Sequence, residues 1–318
     1  MTRQINTIAN IGSGTMGHAT ALQFAMAGYE VRLVELGGAS LEAAMAKILA
    51  EANELAANGL LAGDDTVEDV LARITTTTDC AEGVAGADFV IESIVENLDV
   101  KRDVWKRIEQ FAPEDAIFAT NTSGLSPTAI QSVLDRPERF VVAHFWNPVH
   151  LMPLVEVVPG EQTAPETVDA TFALMETIGK KPAKLEKESL GFVGNRIQLA
   201  VIREALNIVK EGIASPDTVD TVVENSLGLR WSILGPIASA DLGGLDTFYN
   251  VSTYLCADLD NSPDAIAALG EKVEAGELGA KTGRGFYDWE GSRGAEVIGE
   301  RDRKLMAALK ASREGVDD

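Results

Sequence analysis

In the run "HFWNPVHLMPLVEVV", residues 144 to 158, His144 is followed twelve residues later by Glu156, among Phe145, Trp146, Val149, Leu151, Leu154, Val155 and Val157. A carboxylate is almost never buried in such company unless it is paired, and a His–Glu pair satisfies both groups. The carboxylate would accept a hydrogen bond from one ring nitrogen and leave the other facing a cleft, which is how a general base is built and oriented. A core histidine with one satisfied hydrogen bond is the plainer alternative, but it leaves Glu156 unexplained.

Gly12, Gly14 and Gly17 form a second constellation, G-x-G-x-x-G, with Thr15 and Met16 between the last two glycines. The pattern follows a strand-like segment, opens a helix-like one, and is followed by Glu35 at the end of the next strand, which is the context of a dinucleotide site. Gly12 permits the tight turn, Gly14 lets a pyrophosphate approach the backbone, and Gly17 allows close packing of the helix. The helix N-terminus offers unpaired N–H groups to the phosphates. Glu35 would accept from the ribose hydroxyls and repel a 2′-phosphate, so NAD is favoured over NADP. His18 either touches a phosphate or lines the first helical turn, and His150 either packs or lines a substrate entrance. Together the two constellations suit oxidation of a secondary alcohol, in which a base takes the hydroxyl proton as hydride leaves for a nicotinamide ring.

These residues need a scaffold. Ile5 to Ile11 reads as strand, Thr15 to Ala27 as helix stopped by Gly28, and Val31 to Val34 as strand. The stretch from Ser40 to about Gly59 reads as a helix with Ser40 at its start. "ADFVIESIV", "AIFATNTS" and "RFVVAHFW" are strand-like, with the helix-like "DVKRDVWKRIEQFA" between the first two. Strands alternating with helices predict an α/β, doubly wound, mostly parallel sheet, with ligands at the carboxyl ends of the strands. "RFVVAHFW" ends near His144. From about residue 188 the pattern turns helical, beginning with "GFVGNRIQLAVIREALNIVKEG" and continuing with a helix capped by Ser215 and started by Pro216. The division expected is 1–187, a Rossmann-type NAD-binding domain, and 188–318, an all-α substrate and dimerisation domain.

A chain of 318 residues with 46% hydrophobic residues suits two domains, and its net charge of -22 disfavours nucleic acid as a partner. No apolar run predicts a membrane span or a secretory signal. Cys80 and Cys256 provide neither a metal spacing nor a disulfide framework, so no metal is expected and a cytoplasmic location is.

The motifs "IGSGTMG", "ESIVENLDVK", "NTSGLSPTAI", "HFWNPVHLMPLVEVV", "GFVGNRI" and "KTGRGFYDW" occur in the order and approximate spacing of the NAD-dependent L-3-hydroxyacyl-CoA dehydrogenases, which the chain resembles over nearly its whole length. The resemblance implies a Rossmann domain, a helical domain that makes most of a homodimer interface, and a role in fatty acid metabolism. It implies that His144 is the base and Glu156 its partner. Ser123 matches a hydroxyl contacting substrate near the nicotinamide, and Asn195 an amide contacting the reacting oxygen. Glu96, Lys101 and Asn121 match cofactor contacts; Lys101 taken by itself could equally be a solvated charge.

Three departures bear on substrate. CoA-using relatives carry a lysine-rich helical arm after the second strand, where this chain has Lys47 among Glu42, Glu51 and Glu54. Pro153 stands where CoA enzymes commonly have lysine. "LGLRWSILGP" is closer to the L-gulonate and L-carnitine dehydrogenases, and its Arg230 could grip a free carboxylate or form an ion pair. Asn147 is a further candidate substrate contact. "ADLGGLDTF" resembles the CoA branch. A 3-hydroxyacyl-CoA substrate therefore leads narrowly over a free 3-hydroxy acid, and a catalytically silent NAD-binding structural protein stands third.

Overall fold

The computed structural model describes residues 5–262 and 266–314. Eight strands, β1 (Thr7–Ile11), β2 (Glu30–Val34), β3 (Ile74–Thr77), β4 (Phe89–Glu92), β5 (Ile117–Thr120), β6 (Phe140–Phe145), β7 (Leu154–Pro159) and β8 (Lys181–Lys184), form one sheet in the order β3-β2-β1-β4-β5-β6-β7-β8. All neighbours are parallel except β6 and β7, which run antiparallel. The doubly wound, mostly parallel sheet expected from the alternation of elements is the sheet observed.

Helices cover both faces, so the central strands read as continuous apolar runs whose successive residues part to opposite sides. Ile8, Phe89 and Ile117 join one core with Leu22 and Phe24, while Ala9, Val90 and Phe118 join the other with Trp105 and Phe140. In β6 and β7 the residues Val141, Ala143, Phe145, Val155 and Val157 face the first core. The alternate residues Val142 and Val158 form a small cluster with Phe192, and His144 and Glu156 share their parity.

The first helix, α1 (Gly17–Met26), is buried along its whole length. The second, α2 (Gly38–Ala57), buries Leu41, Ala44, Ile48, Ala52 and Leu55, an i, i+3, i+4 stripe. It begins two residues before Ser40, whose side chain does not cap it; Gly37 occupies the N-cap position in an extended conformation. Ser215 does cap the helix Pro216–Glu224, accepting from the Thr218 N–H.

The chain divides into two compact units. One comprises the residues up to Asn195 together with those from Glu300 onward, and the other is Arg196–Gly299. The expected division fell at 187/188 with all later residues in the helical domain. Within the first unit, Met306 of the helix Arg293–Glu314 is buried in the first core with Leu305 and Leu309 packed beside it, so the described residues after Gly299 belong with the sheet. The second unit is helical, and among its described residues only Ser239 is buried. Among the described residues no helix is long and apolar enough to cross a membrane.

Candidate active site

The register of the one antiparallel pair places His144 directly opposite Glu156. Opposed residues of an antiparallel ladder stand on the same face with their Cβ atoms about 5 Å apart, so the twelve-residue spacing becomes a contact. His144 Nδ1 lies 2.9 Å from Glu156 Oε2, and both side chains are buried. The other carboxylate oxygen, Oε1, accepts the backbone N–H groups of Val193 and Gly194, each at 3.0 Å. Burial works against the Glu156 anion, but the hydrogen bonds from His144, Gly194 and Val193 outweigh it and hold the carboxyl below its usual range. With Nδ1 committed to Glu156, Nε2 is the nitrogen left for a substrate.

The imidazole is also held by aromatic rings, Trp146 at 5.6 Å and Phe192 at 5.5 Å between centroids. Phe192 adopts φ 51°, a region costly for a bulky residue. The N–H groups that hold Glu156 come from the two residues that follow it. Gly194 is required here because a Cβ would strike the Trp146 ring. Asn195 donates its amide to the Ser123 carbonyl at 2.9 Å, which ties the start of the helix Gly194–Lys210 to the loop after β5.

A cleft of about 590 Å³ opens at the carboxyl ends of β1, β2, β4 and β5, lined by Gly12, Gly14, Thr15, Met16, Glu35, Glu96, Asn121 and Ser123 among others. Gly12 has φ 94°, and a Cβ there would lie 2.5 Å from the Ser93 carbonyl oxygen; at Gly17 it would meet the Gly12 carbonyl. A Cβ on Gly14 would meet nothing within 4 Å, so that backbone stays open to the cleft. Glu35 Oε2 accepts the Ser13 N–H and hydroxyl, both at 3.0 Å, which positions the carboxylate across the glycine loop. An anion-accepting helix start faced by a carboxylate at the next strand end fits a dinucleotide.

The remaining expected cofactor residues differ in what they reach. Glu96 lines the cleft and accepts the Ser123 N–H at 2.9 Å and the Thr122 hydroxyl at 2.5 Å. Asn121 lines the cleft but spends its amide on structure, accepting from Phe145 N–H and donating to the Ser93 hydroxyl. Lys101 is neither a solvated charge nor a lining residue. Its side chain is 1% exposed and its ammonium lies 2.6 Å from Glu92 Oε1 and 3.4 Å from Glu96 Oε2. The reason is Glu92, a fully buried carboxylate that also accepts from Ile94 N–H, Trp105 Nε1 and the Thr120 hydroxyl. Sequence reasoning passed over Glu92 although "FVIESI" carries the signal that identified Glu156, a lone acid in an apolar strand. Asn147 is exposed just past β6, and Arg230 is exposed on the helix Leu227–Trp231 of the second unit.

Comparison with known proteins identifies the family. The family descriptions "3-hydroxyacyl-CoA dehydrogenase, NAD binding domain" and "3-hydroxyacyl-CoA dehydrogenase, C-terminal domain" match residues 7–189 and 191–289. A 5-formyl-3-hydroxy-2-methylpyridine 4-carboxylate 5-dehydrogenase of Mesorhizobium japonicum is 37% identical over 309 residues, 96% of this chain and 98% of its own. A solved structure of a dehydrogenase for the same pyridine acid, described as an NAD+ dependent dismutase, superposes with a TM-score of 0.90 at 36% identity, covering 97% of this chain and 98% of that one. The structure of (S)-3-hydroxybutyryl-CoA dehydrogenase PaaH1 from Ralstonia eutropha gives a TM-score of 0.75 at 36% identity, covering 91% and 100%. Matched along both of its parts, and with a glycine loop and a strand-end acid suited to the dinucleotide, the protein belongs to the 3-hydroxyacyl-CoA dehydrogenase family and takes NAD as its cofactor.

Proposed function

We propose that the protein is an NAD-dependent oxidoreductase that interconverts an alcohol and a carbonyl group on a small free acid, with His144 as the proton-transfer residue. The observation that carries the reaction class is the fixed His144–Glu156 contact of 2.9 Å. NAD, when bound, supplies the hydride acceptor. His144 Nε2 takes the substrate hydroxyl proton, and Glu156 stabilises the resulting imidazolium without taking the proton itself, because its second oxygen is already occupied by two N–H groups. In the reverse direction the imidazolium returns the proton to the carbonyl oxygen. The Ser123 hydroxyl and the Asn195 amide hold that oxygen; the amide has a second N–H beyond the one given to Ser123. Gly12, Gly14, Thr15 and Met16 would cradle the pyrophosphate, with Gly17 letting the helix start close behind them, and Glu35 would take the ribose hydroxyls. Glu96 keeps the Ser123 loop in place, with Lys101 behind it. Asn147 and Arg230 are assigned to the substrate.

Two observations favour a free acid over a CoA ester. The exposed residues of α2 include Glu42, Lys47 and Glu54, a poor surface for a polyanion on a chain of net charge -22. The likeness to the pyridine-carboxylate dehydrogenase also runs the length of both chains. The second reading, a short-chain 3-hydroxyacyl-CoA, is supported by the likeness to 3-hydroxybutyryl-CoA dehydrogenases. A panel of 3-keto acids, aromatic aldehyde acids and acetoacetyl-CoA, followed through NADH absorbance, separates the two. The free acids should be turned over with kcat/KM at least about tenfold above acetoacetyl-CoA, the worth of one well-placed charge contact. Preference for acetoacetyl-CoA returns the assignment to the CoA branch, and no turnover with any of them removes the enzymatic reading.

The second unit fits a homodimer. Ile233, Ile237 and Leu242 are exposed to 79%, 79% and 76%, with Leu245, Tyr249 and Tyr254 also well exposed. Large apolar side chains standing this exposed are what a partner subunit would cover. Light scattering should give twice the chain mass of 33.8 kDa at micromolar concentration; a monomer there contradicts the assignment.

A further inference from the structure

His18 directly follows the glycine loop and is buried in the first turn of α1. Its Nδ1 lies 2.7 Å from the Gly14 carbonyl oxygen and its Nε2 lies 3.0 Å from Oε1 of Glu51 on α2. A peptide carbonyl only accepts, and so does an ionised carboxylate. A neutral imidazole has one N–H and would leave one of these acceptors facing a bare lone pair, whereas the imidazolium donates to both. The same Gly14 carbonyl also accepts the His18 backbone N–H at 3.1 Å. Gly14 is the residue whose backbone lies open to the cofactor cleft. The ring therefore clamps the loop that receives the pyrophosphate onto a second helix.

We propose that His18 is held as an imidazolium that fixes the glycine loop against α2 and adds positive charge behind the pyrophosphate site, making dinucleotide affinity dependent on its protonation. This rests on NAD occupying that loop.

The surroundings of the ring act in both directions, and those that favour the charge prevail. Glu51, which favours the charge, and Lys47, which opposes it, come from α2; His150 lies against Glu51, with Lys180 near His150, and Asp302 approaches His150 from the helix Arg293–Glu314. Lys180 gives its ammonium to the carbonyls of Val149 and Met152. His150 Nδ1 stands 3.6 Å from Glu51 Oε2, and burial pushes that imidazole below the ordinary histidine range, so charge on it is disfavoured. Burial also opposes charge on His18, but the bonds to Glu51 and Gly14 outweigh it and raise its pKa. The charge is thus fully present below the ordinary histidine range and lost as pH rises through the raised value. A diphosphate prefers the charged form, so its affinity falls in the same window, and by linkage a bound diphosphate raises the His18 pKa further.

The test is binding of NADH, ADP-ribose and adenosine to the full-length protein between about pH 6 and 9.5, with imidazole NMR following the three histidines. ADP-ribose keeps a constant charge over this range, and adenosine has no phosphate. Wild-type affinity for ADP-ribose should fall about three- to tenfold as His18 titrates, the scale expected of one nearby screened charge, while adenosine stays flat. His18→Gln should bind ADP-ribose weakly and equally at every pH. Glu51→Gln removes the charge that favours the imidazolium and should move the wild-type transition to lower pH, a displacement that a merely structural contact would not produce. The inference is overturned if the His18 resonance titrates at or below the ordinary range. It is equally overturned if ADP-ribose affinity is flat while NADH still binds, and the NAD assignment then stands alone. Absence of NADH binding at every pH overturns both. Should His18→Gln fail to fold, the wild-type titration and Glu51→Gln still decide the matter.

Discussion

His144→Gln is expected to lower kcat by about a hundred- to ten-thousandfold, the range that general acid–base catalysis contributes, with little change in NADH affinity. The substitution keeps a donor for Glu156 Oε2 but removes the group that can accept a proton and give it back. His144 contributes nothing to the lining of the cleft formed by the glycine loop, Glu35 and Glu96, so cofactor binding is separable from turnover. The distinguishing measurement is a steady-state assay beside an NADH fluorescence titration and a thermal melt. Undiminished kcat in a folded variant would show that the proton goes elsewhere. Loss of folding would mean that the pair is chiefly architectural, and Glu156→Gln is the companion that resolves this. The glutamine oxygen can still accept from Val193 and Gly194, so the loop should survive while the imidazolium loses its counter-charge.

The second large effect is on stability. Lys101→Met strands the Glu92 carboxylate, which is fully buried and depends on that ammonium at 2.6 Å. Breaking a buried pair from one side costs about 3–5 kcal/mol, because the remaining charge is left uncompensated. For a unit of this size each kcal/mol lowers Tm by about 2–4 °C, so a fall of roughly 6–20 °C is expected. The double variant Glu92→Gln/Lys101→Met should recover part of the loss, since no charge is then buried and the glutamine oxygen still accepts one of the neighbouring donors. It should not recover all of it, because Ile94 N–H, Trp105 Nε1 and the Thr120 hydroxyl all rely on the carboxylate. Calorimetric scans of both variants provide the check, and a Lys101→Met melt equal to wild type would refute the account. Turnover should fall as well, because Lys101 also steadies Glu96, which holds the Ser123 loop.

Much of this was legible in the residues themselves. The glycine loop with Glu35 after it requires a particular local geometry, a tight turn into a helix start, and the residues that allow it are few enough to be read directly. The strands "ADFVIESIV", "AIFATNTS" and "RFVVAHFW" were legible because strands buried on both faces are uninterrupted apolar runs. β3, β7 and β8 were not. β3, "ITTT", is four residues with a single fully apolar one. β7 sits in the same apolar run as the histidine, parted from it only by Asn147-Pro148 and Pro153, and β8, "KPAK", is a short polar edge strand.

His144 and Glu156 could be suspected as partners by type and burial alone. That they face each other followed only from the antiparallel register of β6 and β7, since a slip of one residue turns a side chain to the other face. Lys101 was misplaced because a lysine on an amphipathic helix is ordinarily solvated, and its partner Glu92 lies not on that helix but on strand β4. The clamp of His18 on Glu51 spans 33 residues and two helices. The sequence by itself determined the cofactor loop, the alternation of strands and helices around it, and the residue types available for chemistry, because those depend on local conformation and on which groups tolerate burial. Only the tertiary structure decided which charges meet, because pairing depends on register and helix packing, and these are settled by contacts far apart along the chain.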